Sequence, residues 1–173
     1  MRGWLVLGLM LPIAAWAQAR GLEGSSENPG RWEEAQAPLP EFPKPENYLP
    51  FSVSATTAFD FYVDAKSVSV GKDGVVRYSL IAKSSDGALN VSFEGIRCAD
   101  GKFRIYAFGR SDKTWFEARS AVWQAMPADS RNTQRTVLYS MFFCPARDII
   151  ESADEGVQAL RAGAHPRGSY SRF

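Results

Sequence analysis

Histidine and cysteine are nearly missing from this chain. Among its 173 residues His165 is the only histidine, and Cys98 and Cys144 are the only cysteines. One histidine removes metal sites built on paired imidazoles and most Ser-His or Cys-His relays, so no metal site and no catalytic residue is expected. The two cysteines are too far apart for a C-x-x-C redox pair. G-x-S-x-G, G-x-x-x-x-G-K-[ST] and G-x-G-x-x-G are also absent, which excludes hydrolase-elbow, phosphate-cradle and dinucleotide readings and leaves no cofactor to expect. No apolar run reaches the ~20 residues that span a bilayer. Neither sign of charge dominates: 20 Lys plus Arg stand against 19 Asp plus Glu. A neutral chain has no general claim on nucleic acid.

The N-terminus carries an export signature. Arg2 supplies a basic start, Trp4 to Ile13 an apolar stretch about half a membrane span long, and Ala15-Trp16-Ala17 or Ala17-Gln18-Ala19 a small-residue cleavage site. Residues 1–19 are therefore expected to be a signal peptide, with cleavage after Ala17 or Ala19, and the remainder a periplasmic or cell-envelope protein without a transmembrane segment. No cysteine follows the cleavage region to take a lipid. Residues 20–50 hold six of the ten prolines and six glutamates against three basic residues. This composition reads as a proline-rich linker. Trp32, Phe42, Tyr48 and Leu49 interrupt its polarity, so two readings stay open: plain disorder, or an extended strap across the domain surface.

A β domain is expected over 51–147. Phe59, Phe61 and Val63 alternate with Asp60, Tyr62 and Asp64. Val76, Tyr78, Leu80 and Ala82 alternate with Arg77, Ser79 and Lys83, and Leu89, Val91 and Phe93 continue an apolar face. Turns are expected at Gly71-Lys72-Asp73-Gly74, Ser84-Ser85-Asp86-Gly87 and Ala99-Asp100-Gly101. Gly95 is expected to mark a bulge or bend, and Phe103 to Arg110 a further strand. Residues 115–126 read as a short helix or an irregular crossing. Thr136 to Cys144, apolar on both faces, reads as a central strand. Residues 148–173 are expected to form an amphipathic helix from Asp148 to Ala162, ended by Gly163, and a frayed basic tail containing a solvated His165. The fold class is thus mainly β: an antiparallel meander sheet or half-barrel with a C-terminal helix.

In an exported chain Cys98 and Cys144, both at expected strand ends, should form one disulfide. Two short matches to catalytic patterns are discounted. Ser69 and Lys72 have S-x-x-K spacing but enter a hairpin, and Tyr62 and Lys66 have Y-x-x-x-K spacing without a helix. Asp60 and Asp64 share a strand face about 13 Å apart, at ~3.3 Å per residue, too far for a glycosidase pair. The most suggestive surface is Arg104, Tyr106, Phe108 and Arg110, alternating along one strand face, with Trp115, Arg119 and Trp123 following and Arg77 nearby. Aromatics interleaved with arginines stack on sugars, bases or peptides through π-face and cation–π contacts. They also build second cores, and burial decides between the two.

Several segments carry a family likeness: Asp73-Gly74-Val75-Val76-Arg77-Tyr78, then Asn90 to Cys98 (NVSFEGIRC), Tyr106-Ala107-Phe108-Gly109, and Trp115-x-x-Ala118-Arg119-x-x-x-Trp123. Together they resemble the CNP-one-like family, a group of uncharacterised exported proteins of Gram-negative bacteria. The resemblance implies a periplasmic or envelope location and no activity. A weaker likeness is to the surface-adhesin protein E fold, carried by an early Tyr-x-Asp, a Val-Arg strand, Trp123-x-x-Met126-Pro127-x-x-Ser130 and a closing segment ending in cysteine. That group is often lipid-anchored, and this chain lacks the anchor cysteine. The function expected is a non-catalytic binding or interaction module for an envelope protein, peptide or glycan. The alternative is an envelope hydrolase whose site assembles only in three dimensions, marked by buried, converging carboxylates such as Asp60, Asp64 or Glu94.

Overall fold

The computed structural model describes residues 32–126 and 133–169, so the expected signal peptide lies outside the described residues. A single open antiparallel sheet organises the domain. Its strands are β1 (Tyr48–Phe51), β2 (Phe59–Asp64), β3 (Ser69–Val70), β4 (Val75–Ser84), β5 (Leu89–Arg97), β6 (Lys102–Gly109), β7 (Trp115–Glu117) and β8 (Gln124–Ala125). The order is β1-β2-β4-β5-β6-β7, with β3 also on β4 and β8 also on β6. The turns fall where their residues demand. Gly74, Gly87 and Gly101 take φ of 76°, 89° and 60°, conformations that favour glycine at hairpin corners. β2 spans the stretch, Phe59 to Asp64, over which the alternation runs, and a single helical turn, Ala65–Ser67, separates it from the short β3 before the first hairpin.

Register sorts the side chains. Val76, Tyr78, Leu80, Ile96 and Phe103 point to one face and join the main core with Val137, Leu138, Phe142, Phe143, Ile150 and Leu160. Val75, Ile81, Val91, Phe93 and Ala107 point to the other face, where they are also buried, outside that core. Seven successive residues at the start of β4 are buried, the mark of a strand covered on both sides. Residues 32–44 have no regular secondary structure, yet their side chains and carbonyls bond to this second face, as the strap reading expects. The sheet begins at Tyr48, inside the stretch expected to be linker, because Tyr48 to Phe51 pairs with Asp64 to Phe61.

Two expectations about secondary structure are overturned. Thr136 to Cys144 is not a central strand: Gln134–Val137 is a helical turn, α1, running into a π-helix over Leu138–Phe143. A segment buried all round is apolar all round in either state, so periodicity cannot separate the two. The Thr133 side chain, which accepts from the Thr136 N–H, is the local start signal. The C-terminal helix, α2, spans Ala153–Ala162 and not Asp148 onward. Its start is fixed by the Ser152 N-cap, which accepts from the Glu155 N–H, while the Glu155 carboxylate reaches one residue before the cap to accept from the Glu151 N–H. Gly163, at φ 84°, ends it as expected.

The tail is docked as far as Ser169. A π-helix bonds each carbonyl to the N–H five residues on, and for Ser140 that residue is Pro145, which has none. The tail supplies the missing donors: His165 N–H to the Met141 carbonyl (2.8 Å) and Ser169 N–H to that of Ser140 (3.2 Å). His165 is accordingly 8% exposed and not solvated. Its Nδ1 accepts from the Arg167 N–H at 3.0 Å, so Nε2 carries the proton that meets Glu155 at 2.8 Å. Cys98 and Cys144 form the expected disulfide, joining the end of β5 to the end of the π-helix across 46 residues of sequence.

Candidate functional site: a clamp on the strap side of the sheet

The second face is built around an irregularity in β6. Phe93 pairs with Ala107 but Glu94 pairs with Ile105, so Tyr106 is an extra residue in the ladder. The bulge therefore lies in β6 and not at Gly95, whose strand keeps unbroken register with β4. Gly95 instead makes room: a methyl there would stand 2.6 Å from the Tyr106 hydroxyl. The bulge also breaks the expected alternation. Arg104 and Tyr106 lie on the strap side, but beyond the bulge that side passes to Ala107 and Gly109, and Phe108, paired with Ser92, turns to the opposite face. Phe108 packs there on Phe116, over which the Arg110 guanidinium stacks at 5.1 Å. The seven proposed residues thus form two groups, with Arg119 exposed between β7 and β8 in neither.

Trp115 and Trp123 rejoin Arg104 and Tyr106 because residues 115–125 run along β6 as an interrupted edge: β7 pairs with Ala107 to Gly109, and β8 with Lys102 and Phe103. This is the irregular crossing among the two expectations for the segment, with strand at both ends. Three of these side chains, Arg104, Tyr106 and Trp123, converge with Arg77 on Glu34 of the strap. Its carboxylate is held by Arg104, accepts from the Tyr106 hydroxyl at 2.7 Å and from Trp123 Nε1 at 2.9 Å, and lies 3.7 Å from Arg77. Charge-assisted bonds of this kind are about twice as strong as neutral ones. Burial, with the Glu34 carboxylate as neighbour, pushes the Tyr106 phenol well above its usual value, so it stays a donor.

The strap is gripped at further points. Trp32 donates from Nε1 to the Asp73 carbonyl at 2.7 Å, meets Trp123 edge-on, and lies 3.9 Å below the Arg97 guanidinium. The Ala35 N–H donates to Asp73 and the Ala35 carbonyl accepts from Arg77. Arg77, paired in turn to Asp73 at 2.6 Å, ties this clamp to the β3–β4 hairpin. Trp115 Nε1 donates to the Pro40 carbonyl at 2.9 Å, while the Phe42 ring sits 5.1 Å from that of Trp115, over Gly109. Glu34, Asp73 and Arg97 were not named as site residues in the sequence, and Trp32 and Phe42 were named only as aromatics that could lay the linker across the domain surface. Two aromatics flanking an acidic, proline-bearing stretch, Trp32 to Phe42, were the available signal.

The carboxylates named for a hydrolytic site do not converge. Asp60 is exposed. Asp64 lies on the strap side and Glu94 on the core side, as the registers of β2, β4 and β5 dictate. Burial raises the Asp64 carboxyl above its usual value against hydrogen bonds from Lys66 and Ser67. Glu94, fully buried, is engaged by Arg135 at 2.6 and 2.7 Å, by Ser92 at 2.6 Å and by Tyr78 at 3.4 Å. Among the described residues no helix is long and apolar enough to cross a membrane.

The fold and this face define a class: a disulfide-linked, single-sheet β domain whose aromatic and arginine surface carries an acidic segment of its own chain. The family model of the CNP1-like family matches residues 27–161, and the chain belongs to that family. The matched region takes in the strap, the clamp and both cysteines. No curated protein and no solved structure gave a significant match.

Proposed function

We propose that this protein is a non-catalytic interaction module of the cell envelope whose working surface is the Arg104, Tyr106, Trp115 and Trp123 face. The observation that carries this reading is the way the face contacts a segment of its own chain. It holds an extended segment through a carboxylate clamp, an indole bond to a prolyl carbonyl, and aromatic contacts at both ends. Indole donors to backbone carbonyls and arginine clamps on acidic groups are recurring devices of peptide recognition. Export is supported by the composition of residues 1–19 and by the disulfide, which persists in oxidising compartments. N-terminal sequencing of protein recovered from the periplasmic fraction should begin at Gln18 or Arg20. Pull-down from an envelope extract with the parent and with Arg104→Ala/Trp115→Ala tests the surface: the variant should lose partners that the parent retains. Identical partner profiles would remove the proposed face.

A further inference from the structure

We infer that the strap is an internal competitor, and that the clamp's ligand is an extended acidic, proline-bearing segment of another protein that takes the strap's place. This rests on the reading of the face as an interaction surface. Three observations carry it. Residues 32–44 form no β ladder with the sheet, so the strap is held by side chains and by a few main-chain groups, those of Ala35, Pro40 and Asp73. Such contacts can be remade by any segment presenting the same groups. Next, the fit at the clamp is imperfect. Two of the arginines around Glu34 keep a buried nitrogen without a protein partner, Arg77 Nε and Arg104 Nε. Buried unsatisfied groups are unfavourable, so they mark side chains incompletely matched by the present occupant. Finally, the chemistry is complementary. Arg104, Tyr106, Trp123 and Arg77 surround one carboxylate, and the aromatic contacts of Trp32 and Phe42 lie two residues before and eight after it. The strap itself, aromatic-x-Glu followed by prolines and a second aromatic, is the template for the incoming segment.

The test uses the full chain and a fluorescein-labelled synthetic peptide with the sequence of residues 32–43, read by fluorescence anisotropy. Trp32→Ala/Glu34→Ala should empty the clamp and bind the peptide at least about tenfold more tightly than the parent, because the parent's binding-competent fraction is small. Replacing the glutamate equivalent to Glu34 by glutamine in the peptide should cost about tenfold or more in affinity, and Arg104→Ala in the emptied protein the same. Where the double variant does not fold, Glu34→Gln should show the same ranking with a smaller gain. An emptied variant that melts cooperatively and keeps its disulfide, yet binds the peptide no better than the parent, overturns the inference. So does equal binding of the glutamine peptide, or a strap-exchanged dimer in light scattering that takes up no free peptide. Arg104-dependent partner capture with no peptide binding removes this inference alone. Loss of both removes the interaction-module reading as well.

Discussion

Removing the Arg135 guanidinium should be among the most damaging single changes in the domain, and the reason is electrostatic. Glu94 has no exposed surface, and its two carboxylate oxygens face Arg135, with Ser92 and Tyr78 adding one hydroxyl each. Arg135→Ala leaves that carboxylate buried with the hydroxyls alone. Breaking a buried pair from one side costs about 3–5 kcal/mol. The Arg135 side chain keeps 22% exposure, so water can follow it out, and the lower figure, about 3 kcal/mol, applies. For a urea slope of about 2 kcal/mol/M that is a midpoint roughly 1.5 M lower. In a Glu94→Gln background no buried charge remains to be orphaned, and the same arginine deletion should cost about 1 kcal/mol. The stacking of Arg135 on Phe103 at 4.6 Å is lost in both backgrounds and cancels. The cycle should thus return a coupling of about 2 kcal/mol, measured by equilibrium urea unfolding followed by circular dichroism. Equal costs in the two backgrounds, within about 0.5 kcal/mol, would refute the argument that a stranded charge dominates.

Other consequences are checked more briefly. Replacing Cys98 and Cys144 by alanine opens a 46-residue loop and should remove about 4 kcal/mol, lowering Tm by roughly 10–15 °C; unchanged melting would refute the staple. At Gly109 an added methyl would meet Phe42 Cε2 at 2.8 Å and Val91 Cβ at 2.9 Å, so Gly109→Ala should cost about 1–3 kcal/mol and alter indole fluorescence at Trp115. Phe42→Ala should absorb most of that cost, and strict additivity of the two would show that the ring is not what resists. Burial pushes the Asp73 carboxyl up, but hydrogen bonds from Arg77 and the Ala35 N–H outweigh it and hold the group below its usual value. A depressed carboxyl stabilises the fold above the ordinary value, about pH 4, and loses that contribution as pH falls through its folded value. The protection factor of the Ala35 amide, its exchange rate relative to that of an unstructured amide at the same pH, should therefore fall on acidification below about pH 4, and Asp73→Asn should abolish that dependence. An identical acid midpoint in the variant would argue against Asp73 as the strap's anchor.

Local chemistry was legible wherever one residue type has few structural options. Glycines at the hairpin corners, strict alternation in β2, β4 and β5, and Gly163 at the end of α2 each have a short-range cause and could be read in order along the sequence, while the Cys98–Cys144 pairing was legible because the chain has only two cysteines. The candidate face was legible as composition: arginines, tyrosine and tryptophans in Arg104 to Trp123. Its membership was not. One extra residue at Tyr106 reverses every following side chain, which sent Phe108 and Arg110 away from the group and left Arg104 and Tyr106 in it. A bulge depends on how two strands pair, and neither strand alone specifies it.

The same division holds for the rest. Apolar content made Thr136 to Cys144 a buried segment, but whether it was strand or helix depended on what it packed against, and it became a π-helix whose spare carbonyls are met by a tail from the other side of α2. Residues 32–50 announced themselves as proline-rich and acidic with scattered aromatics, properties shared by a free linker and a bound strap. Only the tertiary structure brought Glu34 to three side chains 70 to 89 positions away. A sequence determines what each residue can offer; which donors reach one carboxylate is decided when the sheet folds.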